Sequence, residues 1–530
     1  MLARSSSRPR WLPRAASLVV VVGIVAVVVI VTLAQAFELD RFFVPKELVL
    51  HVTAGMSALL VLGAVRHLRV TWVDLVLGAF LLASAASALL ATNAWAGTRV
   101  LALSVSGVLL FWVGRVLADE GLGHVVLRAA GVGVVLASVL ALLQAYGIES
   151  AFFATNRSPG GTLGNRNFVG HLAAFGLPLL LWPVVVAERW RSALVSLAGV
   201  VLVVGILVLT RSRAAWLGAA GVMAVMTLGL LLASALRRPA TLGRMVVVLA
   251  LAVGSAGAVT VLPNALDWRS DAPYLETAQG VLNYQDGSGR GRLLQYQRSL
   301  ALVRAAPVLG VGPGNWSVTY PGVAPPGDPS MSGSRAGMTS NPWPSSDAVA
   351  LVAERGVLGT VLWLLFAAVV LGATWRALRR ATDPSDAMAA VVLLAVGAGV
   401  VITGAFDAVL LLAWPVLIVA VVVGVLFPAD QAQSVSMPGW VPVLACAVLV
   451  ALSAAGAVRS AGQWAAMDRY QADAGRDSLE RAAQLDPGNV RVHLRLAQRS
   501  RGAARCPHAQ AAVALYPHAE EAQRLAARCR

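Results

Sequence analysis

Charged residues are scarce in this chain. Asp, Glu, Lys and Arg make up 13% of its 530 residues, where about 25% is usual for a soluble domain. With 58% hydrophobic residues and a mean hydropathy of +0.73, that shortage excludes a soluble globular protein. Lysine is almost missing: Lys46 stands alone among the 42 basic residues, and the rest are arginines. There are three cysteines, Cys446, Cys506 and Cys529, too few for a disulfide framework and without zinc-ligand spacing. Cys446 lies in an apolar run and reads as a small buried residue. No histidine occurs between residues 172 and 492. The chain also lacks an Asp-x-Asp or His/Glu cluster for a metal, a Ser-His-Asp spacing, and an acidic pair deep in an apolar run. The sequence therefore predicts neither a metal nor another cofactor.

The sequence is rich in long apolar runs. A bilayer-spanning helix needs roughly 20 mainly apolar residues, and thirteen stretches qualify: 15–36, 47–65, 72–91, 98–117, 125–146, 167–187, 192–209, 214–236, 245–262, 356–375, 387–405, 409–427 and 440–457. The predicted fold is an all-α polytopic membrane protein with about 12–13 transmembrane helices. Its expected domains are residues 1–262, a large outer loop at 263–355, further membrane helices at 356–458, and a helical tail at 459–530. The first run follows Arg4, Arg8, Arg10 and Arg14 and is longer than a signal-peptide core, so it reads as a retained anchor.

The formal net charge of +16 invites a nucleic-acid reading, but topology accounts for much of it. With the N-terminus inside, the head and the short inner connections hold sixteen arginines, Arg66, Arg189, Arg237 and Arg380 among them. The short outer connections hold seven basic residues: Arg41, Lys46, Arg99, Arg157, Arg166, Arg211 and Arg213. That bias sets the orientation and argues against a nucleic-acid partner. It leaves the loop and the tail on the outer side of the membrane. In the tail, Leu485-Asp486-Pro487-Gly488-Asn489 recurs in outline as Leu515-Tyr516-Pro517-His518. The tail reads either as a degenerate tetratricopeptide-like hairpin or as a plain helical tail, and it is a candidate site for a protein partner. Cys506 and Cys529 are placed to bridge two of its helices in an oxidising compartment.

Three polar stretches interrupt the apolar pattern. Thr210-Arg211-Ser212-Arg213 puts two arginines in a short outer link, where guanidinium forks suit an anion such as a lipid diphosphate. The outer loop holds Gly289-Arg290-Gly291-Arg292 and then Gly310-Val311-Gly312-Pro313-Gly314. This glycine run has neither the Rossmann nor the P-loop spacing and reads as a turn. Residues 321–346, rich in Pro, Gly and Ser, read as a mobile flap or an acceptor-binding loop. Finally, Gly160-Gly161-Thr162-Leu163-Gly164-Asn165-Arg166-Asn167 opens the helix carrying His171. Asn165, Arg166 and His171 are candidate glycan or anion contacts there, although the stretch is also a well-formed helix start.

These stretches, together with Leu351-Val352-Ala353-Glu354-Arg355-Gly356-Val357-Leu358-Gly359, resemble the O-antigen ligase family over about residues 15 to 430. That family includes O-antigen polymerases and protein O-oligosaccharyltransferases. The resemblance implies a metal-independent inner-membrane glycosyltransferase. Such an enzyme moves a glycan from undecaprenyl diphosphate to lipid A core, to a growing glycan or to a protein hydroxyl. It implies that Arg213 and Arg292 contact the diphosphate, with Arg211 and Arg290 as neighbours. Family ligases carry a histidine just before the Leu-x-x-Glu-x-Gly stretch to activate the acceptor hydroxyl, and here that place reads Pro344-Ser345-Ser346-Asp347. A serine hydroxyl is a poor base, so Asp347 and Glu354 are the candidate catalytic carboxylates. The leading expectation is an O-antigen ligase-like transferase, with a polymerase of the same family as the alternative. A lipid-linked-glycan transporter would use the same arginines but calls for interrupted spans and internal repeats. A non-catalytic scaffold acting through the tail is the remaining rival.

Overall fold

The computed structural model describes residues 11–37, 40–64, 69–187, 190–281, 283, 285, 287–472 and 475–529. Arg4, Arg8, Arg10, Arg66 and Arg189, which the topology reading used, lie outside them. The chain is an all-α polytopic membrane protein. Among the described residues, eleven helices are long and apolar enough to cross a membrane. They are α1 (Trp11–Val29), α2 (Asp40–Ala64), α3 (Trp72–Leu89), α4 (Ala94–Asp119), α5 (Gly123–Ala145), α6 (Arg166–Val186), α8 (Arg213–Leu232), α9 (Pro239–Val261), α13 (Asp347–Arg380), α14 (Pro384–Phe406) and α16 (Trp440–Ala472). Two predicted spans are shorter apolar helices, α7 (Trp190–Leu209) with its apolar part from Ala193, and α15 (Ala413–Leu426). Between α9 and α13 come α10 (Pro273–Gln279), α11 (Gly287–Ala305) and α12 (Trp316–Thr319). After α16 follow α17 (Arg476–Leu485), α18 (Val490–Arg499), α19 (Cys506–Leu515) and α20 (Glu520–Ala527).

Side-chain caps start several helices at the positions that matter for the site. Asn165 accepts from the Asn167 amide, Ser212 from that of Ala215, and Ser346 from that of Val349. Each satisfies an orphan N–H of a first turn. Lipid offers no hydrophobic drive between helices, so close approach at small residues carries the packing. A Cβ on Gly424 of α15 would stand 2.2 Å from the Phe111 carbonyl of α4, and one on Gly399 of α14 would stand 2.8 Å from Phe175 of α6.

Two expected outer-connection cations are instead buried inside α2. Lys46 donates to the Ile30 carbonyl at 2.5 Å, and Arg41 is 6% exposed. Arg99, in the first turn of α4, pairs with Glu47 of α2 at 2.8 Å. Arg41 donates to the Ala151 carbonyl, so all three cations have protein partners and the helices extend through them.

The tail is joined to the membrane helices without a break, because α16 runs on past residue 458 to Ala472. Its two related turns, at 485–489 and 515–519, each link one short helix to the next. The first turn rests on the start of α4: Trp95 Nε1 donates to Asp486 at 2.8 Å, and Arg459 stacks on the Trp95 ring at 4.0 Å. Cys506 and Cys529 are bridged, with Cα atoms 5.6 Å apart. The tail also contacts the 316–338 region, so loop and tail share one face of the bundle.

Candidate functional site

The candidate residues gather where the head of α6, the α7–α8 link, α10, α11 and the α14–α15 link meet. Gly170 of α6 is the pivot. A Cβ there would stand 2.9 Å from Ala215, 3.0 Å from Thr210 Oγ1 and 3.3 Å from Ser212, so α6 packs directly on the link that carries Arg211 and Arg213. That link is tight enough to hold Arg211 at φ 51, a left-handed conformation that a non-glycine residue adopts only where its surroundings impose it.

Arg211 donates from Nε to Thr277 Oγ1 at 2.9 Å and approaches Glu276 of α10 at 3.7 Å. Its guanidinium also lies 4.9 Å from the Trp268 ring centroid, and that of Arg166 lies 4.8 Å from the same ring. One indole thus sits against two cations whose charges act on each other, which places Arg166 beside Arg211. Arg213 donates from Nη1 to the carbonyls of Gly280 at 2.8 Å and Asn283 at 3.1 Å, in the connection between α10 and α11.

Arg290 and Arg292 lie on the first turns of α11. Arg290 is exposed and Arg292 half-buried, and neither has a hydrogen-bond or ion-pair partner among the described residues. One turn on, Tyr296 donates its hydroxyl to the carbonyls of Ser345 at 2.6 Å and Ala405 at 3.1 Å. Gln295 Oε1 accepts from the Ser345 amide at 2.6 Å. The Ser345-Ser346 pair is therefore tied to α11 and caps α13.

Both candidate carboxylates are buried and bound to main chain. Asp347 accepts from the amides of Val409 and Leu410, both at 2.9 Å, so it fastens the α14–α15 link to the head of α13. Glu354 accepts from the amides of Gly314 at 2.8 Å and Trp316 at 3.0 Å, and so holds the glycine run. That run closes on itself: Gly312 N donates to the Glu354 carbonyl at 3.0 Å, and Val311 N to that of Ala353 at 2.9 Å.

At the head of α6, Asn167 Nδ2 donates to Asp407 Oδ2 at 3.1 Å, so Asp407 faces the site as well as ending α14. His171, one turn along the helix, is fully buried, and neither ring nitrogen has a partner among the described residues. The charges that bear on its ring are those of Asp407 and Arg292. The structure thus brings Arg166, His171, Arg211, Arg213 and Arg292 to one region and adds Asp407 and Trp268. Nothing in the spacing of Trp268 connects it with Arg166 about a hundred residues earlier; only the packing of the loop does.

Comparison with known families finds one match here. The O-antigen ligase family model matches residues 198–364, which include the α7–α8 link, α10–α12 and the Glu354 stretch. The match is narrower than the resemblance read from the sequence and leaves out the Gly161–Phe168 stretch. No curated protein matches the chain. Over that segment, about a third of its length, the chain is similar to the O-antigen ligase family.

Proposed function

We propose that the chain transfers a glycan from undecaprenyl diphosphate to a hydroxyl of an acceptor, lipid A core or a growing glycan, at the periplasmic face of the inner membrane. The observation that carries this reading is the arginine arrangement inside the family-matched segment. Arg211 and Arg213 leave the α7–α8 link toward the α10–α11 connection, and Arg292 stands on the next helix without a protein counter-ion among the described residues. Guanidinium groups in fixed positions suit a diphosphate and stabilise the charge that grows on it as the glycosidic bond breaks. Each such contact supplies ~2–4 kcal/mol to the transition state.

In this reaction the bond from the anomeric carbon to the phosphate oxygen breaks and undecaprenyl diphosphate leaves. The acceptor oxygen bonds to that carbon and gives up its proton. His171 is the proton acceptor in this reading, in preference to Asp347 or Glu354, whose oxygens hold main-chain amides. A buried imidazole with no partner is costly, and an acceptor hydroxyl bound against the head of α6 would supply the missing hydrogen bond. The Cys506–Cys529 bridge supports a periplasmic tail, since disulfides persist in oxidising compartments.

The test is the surface-glycan pattern of cells carrying Arg213→Ala or Arg292→Ala. Attachment or elongation is expected to be lost while the protein stays in the membrane, and a normal glycan pattern in both would refute the mechanism. His171→Gln should lower transfer and remove the acid limb of the pH–rate profile, with donor binding kept.

A further inference from the structure

The segment leading into Ser345, expected as a flap or an acceptor loop, is held at both sides. Residues 330–340 fold back on themselves: Met331 pairs with Thr339, and Ser332 N donates to the Met338 carbonyl at 2.8 Å. Ser340 N donates to the Ser330 carbonyl at 2.8 Å and closes the hairpin. On one side the hairpin lies on the tail. Glu520 N donates to the Ala336 carbonyl at 3.2 Å, and Met338 packs on the apolar cluster of α18–α20. Gly337, at φ 75, approaches so closely that a Cβ would stand 1.7 Å from the His518 carbonyl oxygen. Beside it, Tyr516 packs on the same apolar cluster as Met338, and a Cβ on Gly322 would meet the His518 ring at 2.7 Å. On the other side the hairpin is tied to α11, where Gln295 Nε2 donates to Ser330 Oγ at 3.0 Å. Gln295 stands one turn beyond Arg292 and also holds Ser345.

A chain of contacts therefore runs from the tail through the hairpin to the helix that carries Arg292. We propose that the C-terminal tail positions the acceptor side of the site. It fixes the hairpin 330–340 as the wall one turn along α11 from Arg292, with Gly337 and Met338 as the positioning residues. The inference rests on the transferase reading above. The arginine end of α11 adjoins the α10 connection bound by Arg213, so the hairpin end is left for the second substrate. Its tip residue Ser334 is exposed and polar, suited to a hydroxyl-rich acceptor. Ordering a Gly/Ser hairpin at the moment of binding would cost affinity, and the docked tail removes that cost in advance.

The test uses the purified full-length protein, a lipid-diphosphate glycan as donor and the isolated acceptor glycolipid. Gly337→Ala puts a methyl group into the His518 carbonyl and should part hairpin from tail. Limited proteolysis within 330–340 should speed up about tenfold, and the acceptor KM should rise about tenfold while the donor KM stays within about twofold. Should Gly337→Ala not fold, Met338→Ala removes the hairpin's packing on the tail cluster and should shift the acceptor KM in the same direction by a smaller factor. A hairpin released with the acceptor KM unchanged, donor and acceptor KM rising together, or no release at all would overturn the proposal alone. Absence of transfer by the unaltered protein would overturn the transferase reading and this inference with it.

Discussion

Asp347 gives one oxygen to each of two main-chain amides, those of Val409 and Leu410. An added Cβ on Gly404 would stand 2.5 Å from its Oδ2, so the carboxylate is enclosed by the α14–α15 link that it holds. Asp347→Asn keeps the shape but turns an NH2 toward an amide N–H, which should cost about 1–3 kcal/mol. A lower melting midpoint in detergent, with transfer retained in the cold, is the expected outcome. An unchanged midpoint with transfer abolished would instead assign Asp347 to the chemistry. At this scale the sequence was most informative where residues went against their surroundings. Arg211 and Arg213 stood out because they oppose the charge bias across the membrane. Asp407 and Trp268 carried no such signal, and only packing brings them to Asn167 and the arginines. For Asp347 and Glu354 the residue type was readable, but the amides that occupy them come from segments 62 and about 40 residues away.

Among the elements, α13 shows where apolar periodicity stops being informative. The apolar run begins at residue 356, yet the helical segment starts at Asp347 and is broken at Gly356, which has φ 64 and ψ −170. The break is imposed from outside the helix. Val357 N donates to the Pro307 carbonyl at 2.8 Å and Leu358 N to that of Val308 at 3.2 Å, while a Cβ on Gly356 would stand 2.3 Å from the Val308 oxygen. That backbone region is essentially confined to glycine, and another residue there costs of order 1–3 kcal/mol before any clash. Gly356→Ala is therefore expected to reduce accumulation and give a polydisperse elution profile in detergent. A monodisperse variant at normal yield would show that the 307–312 segment does not depend on this contact. The thirteen apolar helices were legible, eleven of them long enough to cross and two shorter, because a long apolar run satisfies its backbone in lipid as a helix. The tail turns were legible from their repeated Pro, but their docking on Trp95 and on the hairpin was not.

For the molecule as a whole, the charge pattern and the fold agree on one point: loop and tail lie together. We propose that all thirteen apolar helices, the two shorter ones included, cross the bilayer, which would put the N-terminus and the tail on opposite sides and, by the positive-inside bias, the tail outside. An alkaline phosphatase fused after residue 530 is accordingly expected to be active, and a fluorescent protein that matures only in the cytoplasm should stay dark there. The reverse pattern would invert the assignment. The account as a whole stands on transfer from a lipid diphosphate held by Arg213 and Arg292. The most direct measurement is single-turnover transfer by the purified protein, comparing the unaltered chain with Arg213→Ala and Arg292→Ala. The account predicts that glycan moves to the acceptor, with undecaprenyl diphosphate released, in the unaltered protein, and that transfer slows at least ~10²-fold in each variant. Equal rates in all three would contradict it.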